Sequence, residues 1–231
     1  AGQKPDGLFF AGDIGQRIFQ QPFSWKILGI DVRGRSSTLR INYRTSHQIR
    51  AQADRLLPST VSDVDGITES RRGTVSIFDG PLPVVERCRD SAHEAGKVAA
   101  WLKDRIAEAF APDELAVFVR SEAELPRARS AVKSAGLGWV ELGEKADVAA
   151  GAVAICPMHL AKGLEFRAAA VMACDDDVIP QAGRIANVSD ETDLEAVYET
   201  ERHLLYVACT RARDNLLISG VDAVSEFVDD L

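Results

Sequence analysis

Apolar residues recur along this chain in two rhythms, and each predicts a different kind of element. Unbroken runs at Leu115–Val119, Ala152–Cys156 and Ala168–Ala173 have the length and composition of strands buried on both faces. Elsewhere the spacing is helical: between Ser91 and Phe110, residues Ala95, Val98, Ala99, Leu102 and Ile106 share one face. Further helices are predicted from Ser121 to Ala135, ended by Gly136, and from about Leu194 to Ala212. Thr45 or Ser46 can cap another that runs to about Leu57, ahead of Pro58. Shorter strands are predicted at Leu8–Gly12, Thr38–Asn42, Thr74–Phe78, Trp139–Leu142 and Asn215–Ser219, and a short helical piece at Gln16–Gln20 before Pro22. Ser59–Gly73 and the acidic stretch Asp175–Asp193 read as loops. Strands alternating with helices predict an α/β fold, a mostly parallel sheet with helices on both faces.

Composition narrows the class. The 231 residues are 46 % hydrophobic, enough for one large core or for one domain with a piece of another. A net charge of −8 argues against coating nucleic acid by bulk charge, although a local basic groove is compatible with it. The four cysteines have no C-x-x-C spacing, so neither a zinc site nor a disulfide framework is expected, which fits a reducing, cytoplasmic setting. No apolar run approaches the roughly 18 to 20 residues of a membrane span, and no membrane partner is expected. The run at Leu8 starts with no leading element to pair it, which suggests a fragment of a longer protein.

Four short stretches carry candidate chemistry. Gly12-Asp13-Ile14-Gly15-Gln16 is a strand-end turn followed by a polar side chain, by itself common chain punctuation. In Asn42-Tyr43-Arg44-Thr45, Tyr43 can stack on a base and Arg44 can set its planar fork on phosphate oxygens; a helix-start arginine in a surface ion pair is the plain alternative. Met158 to Phe166 lies between two core strands, where open α/β sheets place ligands. There His159 opens the loop, Gly163 permits close backbone approach and Glu165 offers an acceptor for a sugar hydroxyl. Finally, Leu204 to Arg213 is an apolar helix face leading into Thr210-Arg211-Ala212-Arg213, so Arg211 is either an end-cap charge or a phosphate-sensing arginine.

In this order the four stretches resemble motifs III, IV, V and VI of superfamily I DNA helicases of the UvrD/Rep/PcrA type. The wording His159-Leu160-Ala161-Lys162-Gly163-Leu164-Glu165-Phe166, followed by Leu204-Leu205-Tyr206-Val207-Ala208-Cys209-Thr210-Arg211-Ala212-Arg213, is the most specific part. The resemblance implies a RecA-like second motor domain over residues 38–231 and the tail of a first RecA-like domain over residues 1–37. It implies that Gln16, Arg44 and Arg211 serve catalysis at the γ-phosphate, with Arg211 as arginine finger. Tyr43, Gly163 and Glu165 would bind ATP through adenine, backbone and ribose, and His159 would face single-stranded DNA. Trp25 is a candidate base-stacking residue or a core residue.

Departures qualify the likeness. Pro157 stands where motif V commonly has a threonine, and no G-x-x-x-x-G-K-[ST] loop occurs. ATP and Mg2+ would therefore be held mainly by a first RecA-like domain upstream, and this chain alone is expected not to hydrolyse ATP. No metal site of its own is expected; Asp175-Asp176-Asp177 reads as loop structure. The interval between motifs IV and V leaves no room for the large accessory domain of such helicases. The implied protein is a monomeric 3′ to 5′ DNA helicase or translocase. A non-catalytic helicase-like regulatory module and an RNA-directed helicase of the same superfamily are the alternatives.

Overall fold

The computed structural model describes residues 29, 39–62, 68–70, 73–143 and 148–231. The strand and helical piece expected before residue 38, and with them Gln16 and Trp25, lie outside these residues. Two short strands, β1 (Ile41–Asn42) and β4 (Val75–Ser76), pair in parallel. Between them β2 (Thr60–Ser62) and β3 (Thr68–Ser70) form an antiparallel pair. This corrects the expectation of a loop throughout Ser59–Gly73, where the polar composition hid the pairing.

The central sheet holds β5 (Val84–Cys88), β6 (Leu115–Val119), β7 (Trp139–Glu141), β8 (Val153–Pro157), β9 (Phe166–Val171) and β10 (Ala212–Val221). Their order is β5-β10-β9-β6-β8-β7, and every neighbouring pair is parallel. The expected α/β fold is observed. Strand pleating divides β6 between two cores: Leu115, Val117 and Val119 join one, Ala116 and Phe118 the other. The first core is closed by α2 (Ser91–Ala107) and α3 (Leu125–Ser134). The second is closed by α1 (His47–Ala53), α5 (Glu191–Cys209) and α6 (Glu226–Asp229).

Local chemistry sets the element ends. Ser46 accepts from the Ile49 amide to cap α1, and Asp90 and Asp190 do the same for α2 and α5 through the amides of His93 and Asp193. Pro126 sits in the first turn of α3, which starts at Leu125 behind a 3-10 turn at Glu122–Glu124. Gly136 ends that helix at φ +76°, as expected. Edge strand β5 is not legible in the sequence: Pro81 and Pro83 precede it, and its residues range from exposed Val84 to buried Cys88 with two charges, Glu86 and Arg87, between them. The acidic loop contains one helical turn, α4 (Ala182–Ile185).

Two connections determine which residues gather at each end of the sheet. Strand β7 passes to its neighbour β8 through residues 142–152, too few for a further domain. Strand β8 reaches β9 by crossing β6 through residues 158–165. That crossing packs Met158 and Ala161 into the core shared with α1 and α5. At the far ends of β9 and β10, buried Glu94 accepts from the Ala173 amide and the Ser219 hydroxyl, both at 2.9 Å, and pairs with Arg127. Asp175 joins the network through Arg127 and the Val221 amide, which gives this acid a structural role. No helix among the described residues is long and apolar enough to cross a membrane.

Candidate nucleotide and nucleic-acid site

The turn that presents Tyr43 and Arg44 is shaped by Asn42. Its side-chain oxygen accepts from the Arg44 amide at 2.9 Å, an Asx turn, while its amide nitrogen donates to the Thr45 carbonyl and the Ser76 hydroxyl. The start of α1 is then fixed from two sides: the Ser46 amide donates to the Arg213 carbonyl and the His47 amide to the Phe78 carbonyl, each at 3.0 Å. Gly80 passes so close that a Cβ there would lie 2.9 Å from the Ser46 side chain. The result is a rigid shelf that leaves Tyr43 66 % exposed.

Across the shelf, Arg44 Nε donates to Glu165 Oε2 at 3.1 Å, and both side chains are nearly half exposed. Glu165 is the last residue of the crossing before β9. Gly163, two residues earlier, has φ +88° with open space where a Cβ would stand, so its lack of a side chain serves the backbone turn and leaves one flank uncovered.

Arg211 enters from below. It is 1 % exposed. Its Nε donates to the Val207 carbonyl at 3.0 Å, Nη1 to the Leu164 carbonyl at 3.1 Å and Nη2 to Thr210 Oγ1 at 3.4 Å. The Phe166 amide donates back to the Arg211 carbonyl at 3.0 Å. Arg211 thus ties the end of α5 to the crossing loop directly behind Glu165. Three stretches far apart in sequence, around Arg44, Gly163 to Glu165 and Arg211, meet at the N-terminal ends of β9 and β10.

His159 lies elsewhere. It sits half-buried in a 3-10 turn, Met158–Leu160, that follows the C-terminal end of β8. Because β8 and β9 run parallel, the crossing starts at one end of the sheet and finishes at the other, a strand length of about 15–20 Å away. His159 and Glu165 therefore address opposite ends of the molecule through one continuous segment.

The rim around Arg44 offers an aromatic face, a cation and a carboxylate in reach of solvent. These suit, respectively, a planar base, an anionic oxygen and a hydroxyl. Among the described residues no group of three or more His, Cys, Asp or Glu could hold a metal ion. Nor do the buried thiols serve this rim as nucleophiles: burial pushes Cys156 and Cys209 up to about 12.

Comparison with known proteins finds a similarity that spans the crossing and the end of α5. Residues 132–222 match the UvrD-like helicase C-terminal domain. The resemblance drawn from the motifs is thereby supported where those motifs are most specific. The UvrD-like span contains His159, Gly163, Glu165 and Arg211, while Tyr43 and Arg44 precede it. A solved structure of the C-terminal domain of a possible DNA helicase from Lactobacillus plantarum WCFS1 has a similar fold, with TM-score 0.55 and 24 % identity. The alignment covers 81 % of this chain and 92 % of that one. No curated protein matches significantly.

Sequence reasoning missed a buried ion cluster at the C-terminal end of β6, the end of the sheet where His159 follows β8. Arg120 follows β6 and donates twice to Glu201 of α5, at 2.6 Å each, and Arg184 of α4 donates to the same carboxylate at 2.9 Å. The only hint in the sequence was a glutamate at a core-facing position of α5, and buried acids call for cationic partners.

Proposed function

We propose that this chain is the C-terminal motor domain of an ATP-dependent DNA helicase or translocase, acting 3′ to 5′ on single strands as a monomer. ATP would lie between it and a first RecA-like domain of the same protein, whose residues would hold Mg2+ and the β-phosphate. In this reading Tyr43 stacks on the adenine, Gly163 lets backbone approach the nucleotide, and Glu165 accepts from a ribose hydroxyl. Arg44 and Arg211 then carry positive charge to the γ-phosphate, where charge develops during phosphoryl transfer. His159, at the other end of the crossing, faces the DNA, and Gln16 and Trp25 extend the phosphate and DNA contacts. Magnesium, when bound, would neutralise phosphate charge. Domain bounds at residues 37 and 38 and a cytoplasmic location belong to the same proposal; four unpaired cysteines support the latter.

One observation carries this reading: Arg44 and Glu165, separated by 121 positions, meet at 3.1 Å on an open rim that Arg211 braces from behind. An exposed pair of this kind contributes little stability, about 0–1 kcal/mol, so nucleotide could displace it at small cost. Arg211 would have to release the Leu164 carbonyl to reach a phosphate, so its engagement would move the crossing loop and, with it, His159. This links nucleotide state to DNA grip.

The test is ATP hydrolysis by the intact protein, first domain included, with single-stranded DNA or RNA as stimulant. DNA is expected to stimulate turnover, and Arg44→Ala is expected to lower kcat by about 100- to 1000-fold while nucleotide still binds. Stimulation by RNA alone would overturn the substrate assignment, and unchanged kcat in the variant would remove Arg44 from the phosphate.

A further inference from the structure

The cluster at the C-terminal end of β6 holds one acid and two guanidinium groups, and it is not equally accessible throughout. Glu201 is fully buried and Arg120 nearly so, at 6 % exposure. Arg184, on α4, keeps 33 % of its side chain exposed. Arg120 uses two nitrogens on Glu201, whereas Arg184 uses only Nη1 there; its Nε and Nη2 meet no acceptor among the described residues. Neither arginine has a second acid within ion-pair distance among those residues. One carboxylate against two guanidinium ions leaves a surplus of one positive charge, and the part of it that meets solvent is the outer edge of Arg184.

Position matters as much as charge. Arg120 directly follows β6, whose last residue, Val119, pairs with Pro157 at the end of β8. His159 is two residues beyond Pro157, and both its turn and α4 pack on α5. The Arg120–Glu201 pair, held by two bonds in the interior, fixes the carboxylate that in turn orients Arg184. A guanidinium so anchored presents its free edge with less freedom to lose on binding than a surface arginine has.

We infer that Arg184, oriented by Glu201 and Arg120, is a phosphodiester-binding residue for single-stranded DNA at the same end of the sheet as His159. The inference rests on the DNA-translocase reading above. It adds a residue that the motif wording does not contain, and a contact that is made to the backbone and is indifferent to base sequence.

The experiment measures binding of a fluorescent oligothymidylate to the intact protein across a salt series. Each phosphate contact on a single strand contributes roughly 0.7 to the slope of log K against log salt. Arg184→Gln is expected to weaken binding about 3- to 10-fold at low salt and to reduce the slope by about 0.7, while Arg184→Lys recovers most of that slope. The slope separates a DNA contact from a merely structural role, which would lower affinity without changing the number of ions released. Wild-type binding with an unaltered slope in Arg184→Gln would overturn the inference and leave the DNA-translocase reading standing. Failure of the wild-type protein to bind the oligonucleotide would overturn both.

Discussion

Arg44 stands nearly half exposed and, among the described residues, pairs with Glu165, whereas Arg211 is buried with its donors turned inward, onto the Val207 and Leu164 carbonyls and the Thr210 hydroxyl. Two of those acceptors explain the burial. Val207 is in the last turn of α5, where carbonyls lack helical partners, and Thr210, which also donates to the Tyr206 and Val207 carbonyls, completes the cap. The two roles open from the sequence, end-cap charge and phosphate-sensing arginine, are therefore compatible: the resting side chain caps the helix and is available to an anion only by leaving it. Arg211→Ala should lower unfolding stability by about 2–4 kcal/mol in urea titrations, since it leaves buried carbonyls unpaired and a void behind Glu165. Arg211→Lys should recover part of that stability but not ATP turnover in the intact protein, because an ammonium cannot span the same acceptors. Turnover equal to wild type in the lysine variant would leave Arg211 with only its structural role.

Between residue and fold, the shelf under Arg44 depends on elements that meet edge to edge. Gly80 lies where the Phe78–Gly80 segment, the cap of α1 and the start of β10 converge; an added Cβ would come within 2.9 Å of Ser46 and 3.1 Å of the Asp214 carbonyl. Gly80→Ala should therefore cost about 1–3 kcal/mol and, by shifting the Ser46 cap, displace the turn that carries Arg44. Thermal melting and ATP turnover of the intact variant check both parts, and a wild-type melting temperature would show that the shelf has slack. Strands β6, β8 and β9 were legible because helices cover both faces and leave continuous apolar runs. Strand β5 and the β2–β3 pair were not, since an edge strand mixes polar and apolar positions and the Thr60–Ser62 and Thr68–Ser70 segments are short and polar, with no run of apolar residues to read. The same limit applies to the site. Tyr43, Arg44, His159, Glu165 and Arg211 could be named as candidates from local wording, but neither the Arg44–Glu165 contact nor the Arg120–Glu201–Arg184 cluster has a local signature, because each joins residues from separate elements.

At the scale of the whole molecule, the sheet separates two ends, and the layers that cover it seal all four thiols from solvent. Burial holds Cys156 and Cys209 at about 12 and Cys174 well above its ordinary value of 9.0. In the unfolded chain these thiols ionise near 9, so between about pH 9 and pH 12 the unfolded state loses protons that the folded state retains. The resulting stabilisation is fully present below pH 9 and is lost as pH rises toward 12, by about 1.4 kcal/mol per pH unit for each thiol. The folded chain should accordingly give no reaction with a thiol-specific chromogenic disulfide at pH 8 and react only as it unfolds. Urea midpoints measured from pH 8 to pH 10.5 should fall, and Cys156→Ala, compared with wild type over the same range, should fall less steeply. Identical slopes would mean that Cys156 ionises as readily in the folded core as in the open chain. That would contradict the tight packing of β8 against β6, on which the placement of His159 at the end of that strand depends.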